Sequence, residues 1–125
     1  ANKEILFHHR PTRTLIEADY LFNSPPTEQF SKAGVDAESG LLTKIFAALT
    51  STRGKALAQQ RMIWWGTSAG DRKGFAASTA RIDKWDFDRI VPCHGDVIET
   101  GGKEVFRKVL AWHLELARKE GFKEA

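Results

Sequence analysis

Apolar residues along this chain fall into two kinds of run, short β-rich stretches near the beginning and near residue 90, and longer stretches of helical spacing elsewhere. Residues 4–9, EILFHH, and 13–19, RTLIEAD, are rich in strand formers and flank Arg10-Pro11-Thr12, where the proline fixes a turn. They predict an antiparallel hairpin. Neither run alternates cleanly with polar residues, so both faces of the sheet are expected to be covered. Ile5, Phe7 and Leu15 are expected in the core with Ile90 and Val91 of the later run RIVPCH, itself a short buried strand. The paired prolines of NSPPTEQF break the chain after the hairpin. Leu41, Leu42, Ile45, Phe46 and Leu49 recur at three- and four-residue spacing and predict a helix. RGKALAQQRMIWWG predicts a second helix stopped at Gly66, and DRKGFAASTARIDKW a third. DVIE reads as a further short strand. GGKEVFRKVLAWHLELARK reads as one long final helix, with Thr100 as its N-cap.

Strands and helices in this order predict an α/β fold, a three-layer α/β/α sandwich with about 3–4 strands in a small central sheet and helices on both faces. Neither a repeat nor a linker interrupts the chain, so residues 1–125 are expected to form a single domain.

Composition narrows the functional classes. An apolar fraction of 42% with four tryptophans suits a packed globule. Nineteen lysines and arginines against sixteen acids leave a net charge of +3, with the basic residues scattered among acids and forming no stripe, so nucleic acid is not expected as a partner. No apolar run reaches membrane-spanning length and the N-terminal run is too short for a signal peptide; the expectation is a cytoplasmic or unconventionally secreted protein with no membrane insertion. Cys93 is the only cysteine, which excludes an intrachain disulfide and suits a small buried hydrophobe. A sheet this small leaves an open edge, so a two-fold homodimer is expected.

Candidate chemistry concentrates at the strand ends. His8 and His9 are neighbours on a strand and point apart, so they cannot serve one site. His113 shares the apolar stripe of the last helix and reads as a packed, hydrogen-bonded histidine. Asp19 and His94 each follow an apolar strand, where an α/β sheet presents its functional groups. They are at most half of a zinc site, which takes three or four ligands. No cofactor, metal or catalytic residue is therefore expected. The adjacent Trp64 and Trp65 point about 100° apart on a helix, leaving one partly exposed. A sugar site combines such an aromatic platform with planar polar groups. Asp19, Asn23, His94 and Asp96 leave neighbouring strands, and Trp65 and Arg72 flank the loop 66–71. These six are the expected glycan-binding residues.

EILFHHRPTRTLIEADYLFN (4–23) and WDFDRIVPCHGDVIE (85–99) resemble the second half of a metallo-β-lactamase-like family, with Asp19 matching its bridging aspartate and His94 its His-Gly histidine. The H-x-H-x-D-H ligands of the complete family are not in this chain. In length and segment order the chain is also similar to a family of mushroom antiviral lectins. That resemblance implies an α/β/α sandwich, a dimer, and recognition of glycans containing N-acetylgalactosamine and fucose, with a defensive or immunomodulatory role. The leading expectation is thus a non-enzymatic glycan-binding protein. The alternative is a metal-dependent hydrolase or nuclease assembled across a dimer.

Overall fold

The structure, a computed structural model, describes residues 3–122. Residues 1, 2 and 123–125, the ends of the expected 1–125 domain, lie outside the described residues. In chain order it contains β1 (Phe7–His9), β2 (Thr14–Ile16), α1 (Thr27–Phe30), α2 (Leu41–Leu49), α3 (Leu57–Met62), α4 (Arg72–Asp83), β3 (Arg89–Val91), α5 (Gly102–Val109) and α6 (Ala111–Lys119). The class is α/β, as the sequence predicts, with a small mixed sheet in the order β1-β2-β3. β1 and β2 are the expected antiparallel hairpin, closed by a 3-10 turn at Arg10–Thr12. β3 runs parallel to β2, with Leu15 opposite Ile90. DVIE is not a strand; Ile98 alone bridges back to Ile90.

The register sorts side chains by face. His8, Leu15 and Ile90 line up on one side, and Phe7, Ile16 and Val91 on the other. Leu15 and Ile90 are fully buried and pack with Ile63, Ile82, Phe87, Phe106, Val109 and Leu110. The helices therefore cover the first face. The opposite face is open: Phe7 is 62% exposed and Ile16 41%. The expected burial of Ile5 and Phe7 is corrected here, since Ile5 is 76% exposed, and the helical layer expected over that side does not lie on Phe7 or Ile16. Cys93, two residues beyond β3, is exposed as well, not buried as expected. Apolar residues on both sides of a three-residue strand carry no signal for which side meets a helix.

Two of the expected helices are interrupted for visible reasons. α3 runs on into a π-helical turn at Ile63–Thr67, where the Ser68 amide reaches Ile63 O over 2.9 Å. The final helix divides at Leu110, and the buried amide of Gln60 donates to Lys108 O (2.8 Å), taking a carbonyl at the end of α5. Thr100 does not cap α5. Gly101 holds that position at φ 72°, and its amide donates to Asp88 Oδ1 (3.0 Å). His113 is buried as expected and hydrogen-bonds Ser68 Oγ through Nε2 (2.8 Å).

One buried acid has no counterpart in the sequence reading. Glu17 is 5% exposed; its Oε2 accepts the amides of Tyr20 (2.9 Å) and Leu21 (3.4 Å), while Oε1 has no partner. Burial pushes its carboxyl up to about 9, aided by the nearby charges of Glu4 and Asp19. Burial, with Arg72 nearby, takes the His113 imidazole down to about 4.

Two predictions follow from this packing. Leu15→Ala, at a fully buried position, lowers the unfolding free energy by about 2–5 kcal/mol in urea titrations. Phe7→Ala, on the open face, changes it by no more than about 0.5 kcal/mol; equal losses at both positions would mean that the open face is packed in solution. The second prediction is a pH profile. A raised acid pKa means that the folded state holds a proton the unfolded chain has released, so Glu17 costs stability progressively from its ordinary 4.5 up to about 9. A lowered histidine pKa works oppositely, and the His113 contribution is complete above 6.5 and lost as pH falls towards 4. The two slopes, each on the order of 1.4 kcal/mol per pH unit, oppose one another between the ordinary values and leave Glu17 alone above them. Thermal stability should therefore fall from pH 6.5 to 9 in the wild type, and Glu17→Gln should remove that fall.

Candidate functional site

Beyond β2 the chain does not stay a strand. The Glu17 amide still reaches Val91 O (3.1 Å), after which residues 18–20 bend. Glu4, coming from the segment before β1, accepts the amides of Ala18 (3.0 Å) and Asp19 (2.9 Å) with its two oxygens and so fixes the bend carrying Asp19. Pairing with the β3 side resumes at Asn23, whose amide donates to His94 O (3.1 Å) while its own carbonyl accepts from Asp96 N (3.0 Å). Gly95 lies between these two bonds at φ 107°, and a Cβ there would sit 2.2 Å from Asn23 O. Only glycine permits this contact, which is the physical content of the His-Gly dipeptide.

The outcome is a pair. His94 Nε2 lies 3.3 Å from Asp19 Oδ1, with the two side chains 54% and 45% exposed. The Phe22 ring stacks on the His94 ring at a centroid distance of 5.5 Å, and Phe46 of α2 meets Phe22 edge-on at 6.3 Å. Gln59, fully buried on α3, accepts the Phe22 amide (2.7 Å) and donates to Phe22 O (3.0 Å), Thr50 O and Ser51 O. Residues 22–24 are thus held by α3 on one side and by the 94–96 turn on the other.

Of the six expected glycan-binding residues, the structure brings four together at this rim and gives them different work. Asp19 and His94 face each other in the open. Asn23 is committed internally, donating to Asp96 O (2.7 Å) and accepting from Thr52 Oγ1 (2.8 Å). The Asp96 carboxylate accepts from the Thr27 hydroxyl and the Glu28 amide, which anchors the start of α1. Trp65 and Arg72 do not join them. The Arg72 guanidinium lies 4.6 Å from the Trp64 centroid and 5.4 Å from that of Trp65, and donates to Trp64 O (2.9 Å) at the α3–α4 junction. Trp65 is the exposed member of its pair, at 70%.

Beside the rim, His94 and Gly95 form one wall of a cleft of about 300 Å³ that runs between α1, the loop 34–39 and α2. A second, shallower cavity of about 360 Å³ lies on the open sheet face, lined by Ile5, Phe7, Ile16, Val91 and Cys93 with Glu17 at its edge. Glu4, Glu17, Phe22 and Gln59 were not expected at the rim, and Phe46 was expected only as part of the α2 stripe. The signal for them was the adjacent Gln59-Gln60 pair in the helix LAQQRM.

A histidine nitrogen opposite a carboxylate oxygen at this spacing suits either a charge-assisted hydrogen bond or joint coordination of a cation. Two ligand atoms at zinc distances in tetrahedral geometry lie about 3.3–3.4 Å apart. Among the described residues no group of three or more His, Cys, Asp or Glu side chains is placed to hold a metal ion. Comparison with known protein families, with curated proteins and with solved structures returns no match for the chain.

The division of labour at the rim generates a prediction. Asp96→Ala removes a helix anchor, so it should cost about 1 kcal/mol and lower the melting temperature. His94→Ala, at a half-exposed position, should stay within about 0.5 kcal/mol. Chemical denaturation of both variants checks this; a stability-neutral Asp96→Ala would show that its carboxylate does not hold α1.

Proposed function

We propose that the chain carries two ligands of a metal-dependent hydrolytic centre, Asp19 through Oδ1 and His94 through Nε2. The remaining ligands come from a second layer covering the open sheet face, in the simplest case a second copy of this chain. The 3.3 Å separation of Oδ1 and Nε2 carries this reading, because it matches the ligand spacing around one tetrahedral ion. One further feature supports it. Phe7 and Ile16 leave an apolar surface uncovered, and exposed patches of this kind mark contact sites. A bound divalent ion would supply a water activated near neutral pH and a Lewis acid for the substrate carbonyl or phosphoryl group. The chain's own contribution is orientation: Gly95 and Glu4 set the two ligands, and the Phe22 ring packs against the imidazole.

A glycan-binding protein, with the defensive role that its lectin resemblance implies, is the second reading. It keeps Asp19 and His94 as the polar partners and takes Phe46, 52% exposed beside them, as the stacking platform in place of Trp65.

Zinc titration followed by NMR separates the two. The first reading expects saturable perturbation of the His94 ring and the Asp19 backbone at submillimolar zinc, a shift towards dimer in sedimentation, and loss of both in His94→Ala. A His94 ring that ignores one-millimolar zinc sinks it. A glycan array positive for the wild type and negative for Phe46→Ala would put the second reading in its place.

A further inference from the structure

The cleft beside His94 opens directly onto the Asp19–His94 pair through a shared wall residue. Its walls are apolar where they are largest, with Pro26 and Phe30 from the α1 region, Val35 from the following loop, and Phe46 and Ala47 from α2. At about 300 Å³ it falls at the small end of the range for small-molecule sites, roughly 300–1,000 Å³. Apolar walls with a few convergent polar groups are the usual make-up of such sites. The uncharged polar groups here include the amide of Gln29, the hydroxyls of Ser39 and Thr43 and the imidazole of His94. Ser24 also borders the cleft, but its hydroxyl already accepts from Thr50 Oγ1 (2.7 Å).

Charge narrows the ligand further. No lysine or arginine is among the lining residues, and the acid present is Asp36. In the metal-free chain, desolvating a carboxylate or phosphate in such a cleft meets no cation to receive it and is unfavourable. An anionic ligand is therefore selected against. A neutral one meets no such penalty, and its apolar part removes the faces of Phe30 and Phe46 from water.

Position supplies the remaining constraint. The cleft and the Asp19–His94 pair share one residue, His94. A molecule filling the cleft presents its polar end to the imidazole edge, at the pair proposed above as metal ligands.

We infer that this cleft holds the apolar part of an uncharged ester, with the ester carbonyl directed at His94. This assignment of substrate class rests on the hydrolytic reading of the Asp19–His94 pair, but binding to the cleft can be measured without any metal.

The test uses methyl hexanoate as the neutral probe and hexanoate as its charged counterpart, each titrated into the full chain and followed by amide chemical shifts. Methyl hexanoate should produce saturable shifts at Thr43, Phe46, Ala47, His94 and Gly95, and hexanoate should bind at least tenfold more weakly. Thr43→Trp and Val35→Trp, both at exposed positions on the cleft wall, should abolish the methyl hexanoate shifts while circular dichroism and melting temperature stay unchanged. Zinc perturbation of Asp19 should persist in both variants. Shifts confined to Leu41 and Leu42 on the outer surface of α2, equal affinity for hexanoate, or full binding in both tryptophan variants would overturn the inference. If the zinc response fails while the ester still binds, the hydrolytic reading falls and the cleft remains. If zinc binds and the ester does not, the cleft assignment alone is lost.

Discussion

The contact between Asn23 and Gly95 is the constraint on which the rim depends. Two backbone hydrogen bonds cross there, and the carbonyl of Asn23 occupies the space that any side chain at position 95 would need. Because the two segments meet so closely, His94 emerges beside the bend that carries Asp19. Because Asn23 is fixed, its side chain can tie down Asp96 and Thr52, and Asp96 can in turn hold the first turn of α1. A peptide-scale contact thereby sets a side-chain distance, 3.3 Å, on which the chemistry turns.

Much of the framework was legible because it rests on local signals. Pro11 and the strand formers around it mark the hairpin, and the apolar run RIVPCH marks a further strand, whose parallel place beside β2 is a finding of the structure. Asp19 and His94 stood out as polar residues following apolar strands, and they do meet. What was not legible is non-local. Whether Phe7 or Leu15 faces a helix depends on register and on what else packs there, and both belong to equally apolar runs. The division of the final helix at Leu110 depends on the Gln60 amide from a helix far earlier in the chain. Asn23 and Asp96 have the right chemistry for a ligand, but they are engaged by neighbouring backbone groups and by the hydroxyls of Thr52 and Thr27. Trp65 and Arg72 are close in sequence to the loop that was expected to carry them to the rim, and the π-helical turn places them together elsewhere.

The apolar surface is distributed unusually. The α2 residues Leu41, Leu42, Ile45, Phe46 and Leu49, whose spacing announces a helix, are all exposed, from 44% to 82%, and it is Ala47 that points inward. The spacing identifies the element without identifying its partner. Together with the open side of the sheet, this leaves two apolar areas on different elements. The same hydrophobic effect that assembles the interior acts on both.

The strap of residues 22–24 also has a kinetic meaning. Its partners on α3 lie thirty-seven residues away in sequence, and those on the 94–96 turn about twice as far, at seventy-three. Closing loops of that length costs chain entropy before any bond is gained. The hairpin and the individual helices form from near neighbours, whereas the strap is ordered only when three distant parts of the chain have already met. The rim that aligns Asp19 with His94 is therefore a late product of folding. The parallel pairing of β2 with β3 joins parts of the chain about as distant, so the rim and that half of the sheet share the same long closure.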